Sequence, residues 1–150
     1  MRIVIQRVME ASVAINGELF SEIKQGLLIL AGVEHEDTMT DVEWLAGKTI
    51  NLRIFPDEQG VMNRSVKDID GEILVVSQFT LTASTKKGNR PSYIRAAGHE
   101  LATSLYESYC SRLSELLGRD VKKGVFGADM KVALVNDGPV TIIIDSRLRE

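Results

Sequence analysis

Apolar and polar residues follow two different rhythms along this chain. Residues 2–8 are β-rich and lead into a stretch where Val13 and Ile15 alternate with Ser12 and Ala14. Asn16-Gly17 separates that stretch from Leu19 and Ile23. Both turn residues accept positive φ, so the pattern predicts a β-hairpin. Gly26 to Val33 is an unbroken apolar run of 8 residues, which reads as a strand buried on both faces. His35-Glu36-Asp37 is then a polar connection.

The rhythm changes to a helical one at Thr40. Thr40-Asp41-Val42-Glu43 has the form of a capping box, with Met39 and Trp44 at the staple positions. Val42, Leu45, Thr49 and Leu52 form a semi-apolar face, and Pro56 stops the helix. Pro56 to Gly60 and Asp70-Gly71 are turns, with a strand or irregular arm over 61–69 between them. Ile73 to Leu81 is the most strand-like run in the chain. A polar stretch follows from Thr82 to Ser92. A second helix spans about His99 to Leu117, with Leu101, Leu105, Tyr109, Leu113, Leu116 and Leu117 at helical spacing, and Gly118 as its C-cap. Two further strands, Lys131–Val135 and Val140–Asp145, flank a turn at Asn136–Pro139. Two helices and roughly seven strands predict an α+β fold: a single compact domain over 1–150, with a mostly antiparallel or mixed β-sheet or barrel and two main helices.

Composition narrows the function classes. Hydrophobic residues make up 44% and charged residues 26% of 150, the balance of a globular domain rather than a disordered chain. Lys and Arg number 18 against 21 Asp and Glu, which argues against a surface that is basic all over but leaves room for a local basic patch. No apolar run approaches the roughly 18 residues of a membrane span. Ile3-Val4-Ile5 gives way at once to Gln6-Arg7, so no signal-peptide core forms. The expectation is a cytoplasmic chain with no membrane partner. Cys110 is the one cysteine; it lies in the helical apolar pattern, with neither His35 nor His99 near it in a recognised spacing, and reads as a buried structural residue. No zinc-ligand spacing, phosphate-binding loop or dinucleotide fingerprint is present, so no metal and no cofactor is expected.

Two stretches carry chemistry. Ser77-Gln78-Phe79-Thr80 places polar residues at the end of an apolar strand; on strand alternation Gln78 and Thr80 share one face, Ser77 and Phe79 the other. Buried hydroxyl and amide groups must find partners or cost about 1–3 kcal/mol each, so the stretch is either a site or a strand leaving the core into water. No base lies beside it to activate a nucleophile. Asn136-Asp137-Gly138-Pro139-Val140-Thr141 reads first as a hairpin turn. Alternatively, it presents the carbonyls of Gly138 and Pro139 to a ligand, Pro139 having no backbone donor.

In combination these stretches resemble the D-aminoacyl-tRNA deacylase family. The opening Ile5-Gln6-Arg7-Val8 with Ala11-Ser12-Val13, the segments Arg53-Ile54-Phe55 and Met62-Asn63, and Phe126 to Met130 extend the resemblance over essentially the whole chain. It implies a cytosolic homodimer, without a cofactor, that hydrolyses the ester of D-aminoacyl-tRNA and of mischarged glycyl-tRNA while rejecting L-residues. A cis Gly138–Pro139 pair would enter the partner subunit's pocket, and Arg7 would hold that loop. Ser77, Gln78, Phe79 and Thr80 would line the pocket, with Phe126 and Met130 as walls. Gln78 and Thr80 would be the catalytic pair, Thr80 positioning rather than attacking. Lys86, Lys87, Arg90 and Arg95 fall in a stretch without Asp or Glu; with Lys86, Lys87 and Arg90 foremost, they would contact tRNA phosphates, unless this is simply a solvated loop. The rivals are a Thr- or Ser-dependent hydrolase of small esters and a non-enzymatic RNA-binding domain.

Overall fold

A computed structural model describes residues 1–149. Its strands are β1 (Arg2–Ile15), β2 (Glu18–Ile23), β3 (Gly26–Gly32), β4 (Phe55–Pro56), β5 (Met62–Arg64), β6 (Glu72–Ser77), β7 (Lys122–Lys123) and β8 (Met130–Asp145); its helices are α1 (Met39–Asn51) and α2 (His99–Leu117). The Asn16-Gly17 hairpin forms as expected, with φ of 52° and 79° at its two central residues. β1 pairs antiparallel with β2, β3 and β8, whereas β3–β6 and β6–β7 are parallel. Each parallel pair is joined by a crossover containing one helix. The sheet is therefore mixed. Ser21 on β2 donates to the Lys123 carbonyl on β7 at 2.9 Å, which draws the two ends of the sheet into a nearly closed barrel.

Apolar side chains fill both faces of the central strands. Leu27, Ile29, Ile73 and Val75 point into a cluster with α1 and α2, while Leu28, Leu74 and Val76 point into a second cluster with Val8, Val13 and Ile23. This is the two-sided burial that the continuous apolar run of β3 predicts. The helices pack on the first face. Buried Thr49 of α1 and Tyr109 of α2 share a hydroxyl hydrogen bond of 2.7 Å, and Tyr106 donates to the Val75 carbonyl at 2.9 Å.

Several expectations need correction. The N-cap of α1 is Thr38, not Thr40: Asp41 reaches back to accept from the Thr38 N–H at 2.8 Å, while Glu43 instead accepts from Arg112 of α2 at 2.8 Å. The helix ends at Asn51, so Leu52 is an extended C-cap and Pro56 lies beyond the stop. The 61–69 arm, read as strand or irregular, is strand at Met62–Arg64 and turn over 66–69. The strand expected over Ile73–Leu81 stops at Ser77 because its parallel partner β3 runs out: Gln78 N–H makes the last ladder bond, to Ala31 at 2.8 Å. Phe79–Thr82 then winds into a 3₁₀ turn. Finally, Met130–Asp145 is one strand rather than two joined by a hairpin, since both its halves pair with β1.

Cys110 lies buried on α2, as expected, and burial, reinforced by the charge of Glu107, pushes its thiol pKa up to about 12. The reactive thiolate is thus scarce at neutral pH. A disulfide reagent at pH 8 should leave Cys110 unmodified over hours in the native protein and react completely within minutes in denaturant. Fast native labelling would contradict this placement.

Candidate active site

Opposite Arg7, the pairing of β1 and β8 loses register. Gln6 pairs with Thr141 and Val8 with Asn136, so residues 137–140 of β8 face a single residue of β1. The surplus backbone forms a protrusion. Asn136 closes it at the base: its Oδ1 accepts from the Val140 N–H at 3.1 Å and its Nδ2 donates to Thr141 Oγ1 at 3.2 Å. Arg7 fills the space beneath. Its Nε donates to the Asp137 carbonyl at 3.1 Å and pairs with the Asp137 carboxylate at 3.2 Å, and its Nη1 donates to the Ile54 carbonyl at 2.6 Å. The Gly138–Pro139 peptide is cis, and both residues are exposed.

A cavity of about 440 Å³ opens beside the end of β6. Ser77, Gln78, Phe79, Phe126 and Met130 line it, as does His99 at the start of α2. Phe126 is wedged edgewise against His99 (5.3 Å between ring centroids) and tilted against Tyr106 (5.7 Å). Phe79 meets Tyr93 in a T-shaped contact at 5.0 Å and remains 57% exposed. The fold thus brings Phe126 and Met130 to the end of β6 from about fifty residues downstream.

Thr80, expected with its neighbours in the lining, stands instead one residue beyond it on the 3₁₀ turn, where Gln78 Nε2 donates to its Oγ1 at 2.5 Å. The turn replaces the strand alternation expected for these residues and brings Gln78 and Thr80 into contact. Its first internal bond runs from the Leu81 N–H to the Gln78 carbonyl, so the N–H groups of Phe79 and Thr80 have no acceptor within the turn. The partner that orders the Thr80 hydroxyl is an amide, not an imidazole or carboxylate.

Gly138 and Pro139 do not line the cavity of their own chain. Lys86, Lys87 and Arg90 lie on the exposed loop that leaves the 3₁₀ turn, closed by paired Ser84–Ser92 backbone bonds of 2.8 and 2.9 Å. Arg95 is committed elsewhere: it donates to the Thr82 carbonyl at 3.3 Å and lies 3.5 Å from Glu34. His99 and Tyr93 were not legible as site residues, because neither stands at a spacing that marks catalysis.

Comparison with known proteins places the chain. The family model for D-Tyr-tRNA(Tyr) deacylase matches residues 4–145. The D-aminoacyl-tRNA deacylases of Porphyromonas gingivalis (strain ATCC 33277) and Flavobacterium psychrophilum are 65% and 61% identical over 150 residues, covering 100% of both chains in each case. A solved structure titled c-Myc DNA Unwinding Element Binding Protein superposes with a TM-score of 0.89 at 43% identity, covering 97% of this chain and 98% of that one. A probable eukaryotic D-amino acid tRNA deacylase shares the fold at 16% identity, with a TM-score of 0.83 over 95% of this chain and 97% of that one. The matching family is one of ester hydrolases, and the two solved structures share its architecture. The chain belongs to the D-aminoacyl-tRNA deacylase family.

Gly138 has φ of +121°, and a Cβ on it would approach Arg7 Nη2 to 2.7 Å. Gly138→Ala should therefore strain the backbone and displace the guanidinium, lowering unfolding free energy by about 1–3 kcal/mol. Urea unfolding monitored by circular dichroism measures this, and an unchanged midpoint would mean the protrusion rests on other contacts.

Proposed function

We propose that the chain hydrolyses the ester joining a D-amino acid, or glycine, to the 3′-terminal adenosine of tRNA, acting in the cytoplasm as a homodimer and sparing L-aminoacyl-tRNA. The observation that carries this reading is that Ser77 and Gln78 line the cavity directly before a turn whose Phe79 and Thr80 N–H groups have no acceptor within it, the Thr80 hydroxyl being held by an amide rather than by a base. That set suits an activated ester. Water adds to the ester carbonyl, the carbonyl oxygen takes up negative charge beside the Phe79 and Thr80 N–H groups, and the bond to the ribose 3′-oxygen breaks as that oxygen receives a proton. The neighbouring 2′-hydroxyl of the ribose assists. Gln78 fixes the Thr80 hydroxyl, which supports a positioning role for Thr80 over a nucleophilic one. Phe126 and Met130 supply the cavity wall.

Two features favour a second subunit. The Gly138–Pro139 protrusion lies outside its own cavity, so a partner's cavity is where it would act. β8 pairs only with β1 among the described residues, which leaves one edge of a 16-residue strand open; exposed edges of that length are normally covered. In the dimer the two rigid carbonyls would grip the substrate's α-ammonium, and an L side chain would collide with the Gly-Pro backbone.

Purified protein should release D-amino acid and glycine from charged tRNA at least about a hundredfold faster than the matched L-amino acid, and Thr80→Ala should retain measurable turnover. Equal rates on both enantiomers would discard the reading, and an acyl group trapped on Thr80 would restore the nucleophile.

Lys86, Lys87 and Arg90 would neutralise phosphates of the acceptor end next to the ester. Replacing all three by Ala should raise KM for D-aminoacyl-tRNA and flatten its salt dependence, by about one logarithmic unit of slope for each phosphate left without its cation. An unchanged KM across a salt series would place the RNA footprint elsewhere.

A further inference from the structure

The 3₁₀ turn that carries Phe79 and Thr80 is short, exposed at Phe79, and followed by a polar loop. Turns of this kind hold their shape poorly on their own. Its carbonyl side, however, is tied down at three points. Thr82 Oγ1 donates to the Phe79 carbonyl at 2.8 Å, Arg95 reaches the Thr82 carbonyl at 3.3 Å, and Arg2 Nη1 donates to the Leu81 carbonyl at 3.0 Å. Arg2 is the better placed of the two guanidinium groups, because it is itself fixed. Arg2 and Asp145 are cross-strand partners on β1 and β8. Arg2 Nε and Nη2 meet Asp145 Oδ2 at 3.0 and 2.8 Å, with both side chains mostly buried.

Asp145 is fixed in turn. Its Oδ1 accepts the N–H groups of Arg147 and Leu148 at 2.9 and 3.3 Å. Burial pushes its pKa up, but these bonds and Arg2 outweigh burial and hold the carboxyl below the usual range. On its other side Arg2 pairs with Gly32 of β3. A Cβ at Gly32 would come within 2.9 Å of the Gln78 carbonyl and 3.0 Å of Leu81 Cβ. The turn therefore lies directly on the strand end where Arg2 reaches it.

We infer that Arg2, locked by Asp145, is a positioning residue for hydrolysis, holding the 3₁₀ turn so that the Phe79 and Thr80 amides face the developing oxyanion. The inference rests on the deacylase reading of this cavity. Such donors act only when pre-aimed, and loosening the groups behind them lowers turnover rather than affinity. A lysine in place of Arg2 carries the charge but lacks the planar fork that serves a carboxylate and a carbonyl together.

The test compares wild type with Arg2→Met, Arg2→Lys and Asp145→Asn, using D-aminoacyl-tRNA well below each Tm. Arg2→Met should lower kcat about tenfold with KM within twofold, and Arg2→Lys should recover part of that loss. The double variant Arg2→Met/Asp145→Asn should be no slower than Arg2→Met, because the two act as one unit. Amide hydrogen exchange supplies a readout independent of substrate: the Leu81 and Ala83 N–H groups, both bonded within the turn, should exchange at least about fivefold faster in Arg2→Met. If Arg2→Met does not fold, Arg2→Lys and the exchange data decide. A kcat within twofold of wild type, or unchanged exchange at Leu81 and Ala83, overturns the role of Arg2. Wild-type protein inert toward D-aminoacyl-tRNA overturns the deacylase reading instead.

Discussion

Four residues of β8 stand against one residue of β1, and a guanidinium occupies the difference. Without Arg7 the bulge would leave the carbonyls of Asp137 and Ile54 short of a partner in a largely buried setting, where an unmet acceptor costs about 1–3 kcal/mol. With it, surplus backbone becomes a defined projection rather than a loose loop. The rest of the strand is bound to this arrangement. β8 stays paired with β1 on both sides of the bulge, with one further irregularity between Val8 and Glu10, so Asn136 and Thr141 are delivered to its base and Asp145 is delivered to Arg2.

β1 consequently anchors both candidate parts of the site. Near its start it carries Arg2 to the 3₁₀ turn, and five residues later it carries Arg7 to the protrusion. β3 supports the first of these by ending at Gly32, where the lack of a side chain lets the turn settle on the sheet. The cavity wall is assembled from the other direction, with Phe126 pressed between the first turn of α2 and Tyr106. Strands and helices of the core therefore fix the positions of both the 3₁₀ turn and the protrusion, as catalysis by pre-aimed donors would require.

The parts of the fold that were legible in the sequence are those decided by near neighbours. Asn16-Gly17 sets its own dihedrals, α2 shows its period from Leu105 to Leu117, and β3 announces burial on both faces by having no polar residue. What was not legible depends on distant partners. Ser77 ends β6 because β3 ends; nothing in Gln78 to Leu81 says so. Val140 continues the same strand as Val135 because β1 is long enough to pair with both, whereas a local reading of Asp137-Gly138 finds a hairpin. Thr40 and Thr38 both offer a capping box, and the structure uses the one that Thr38 closes with Asp41, while Glu43 meets Arg112 on another helix. The site followed the same division. Ser77 to Thr80 and Gly138-Pro139 stood out through the family resemblance, but His99, Tyr93 and Arg2 gain their places only from packing.

The pairing of β1 with β8 also governs when this protein can finish folding during synthesis. β1 is made early and can pair at once along one edge with β2 and β3 as they follow it. Its other edge must wait for Met130–Asp145, more than a hundred residues later. Until then the nascent chain displays a half-built sheet, with the free edge of β1 presenting an open row of backbone donors and acceptors. Such intermediates invite aggregation and engage chaperones. The strand that completes the sheet is thus also the one that releases the nascent chain from that hazard.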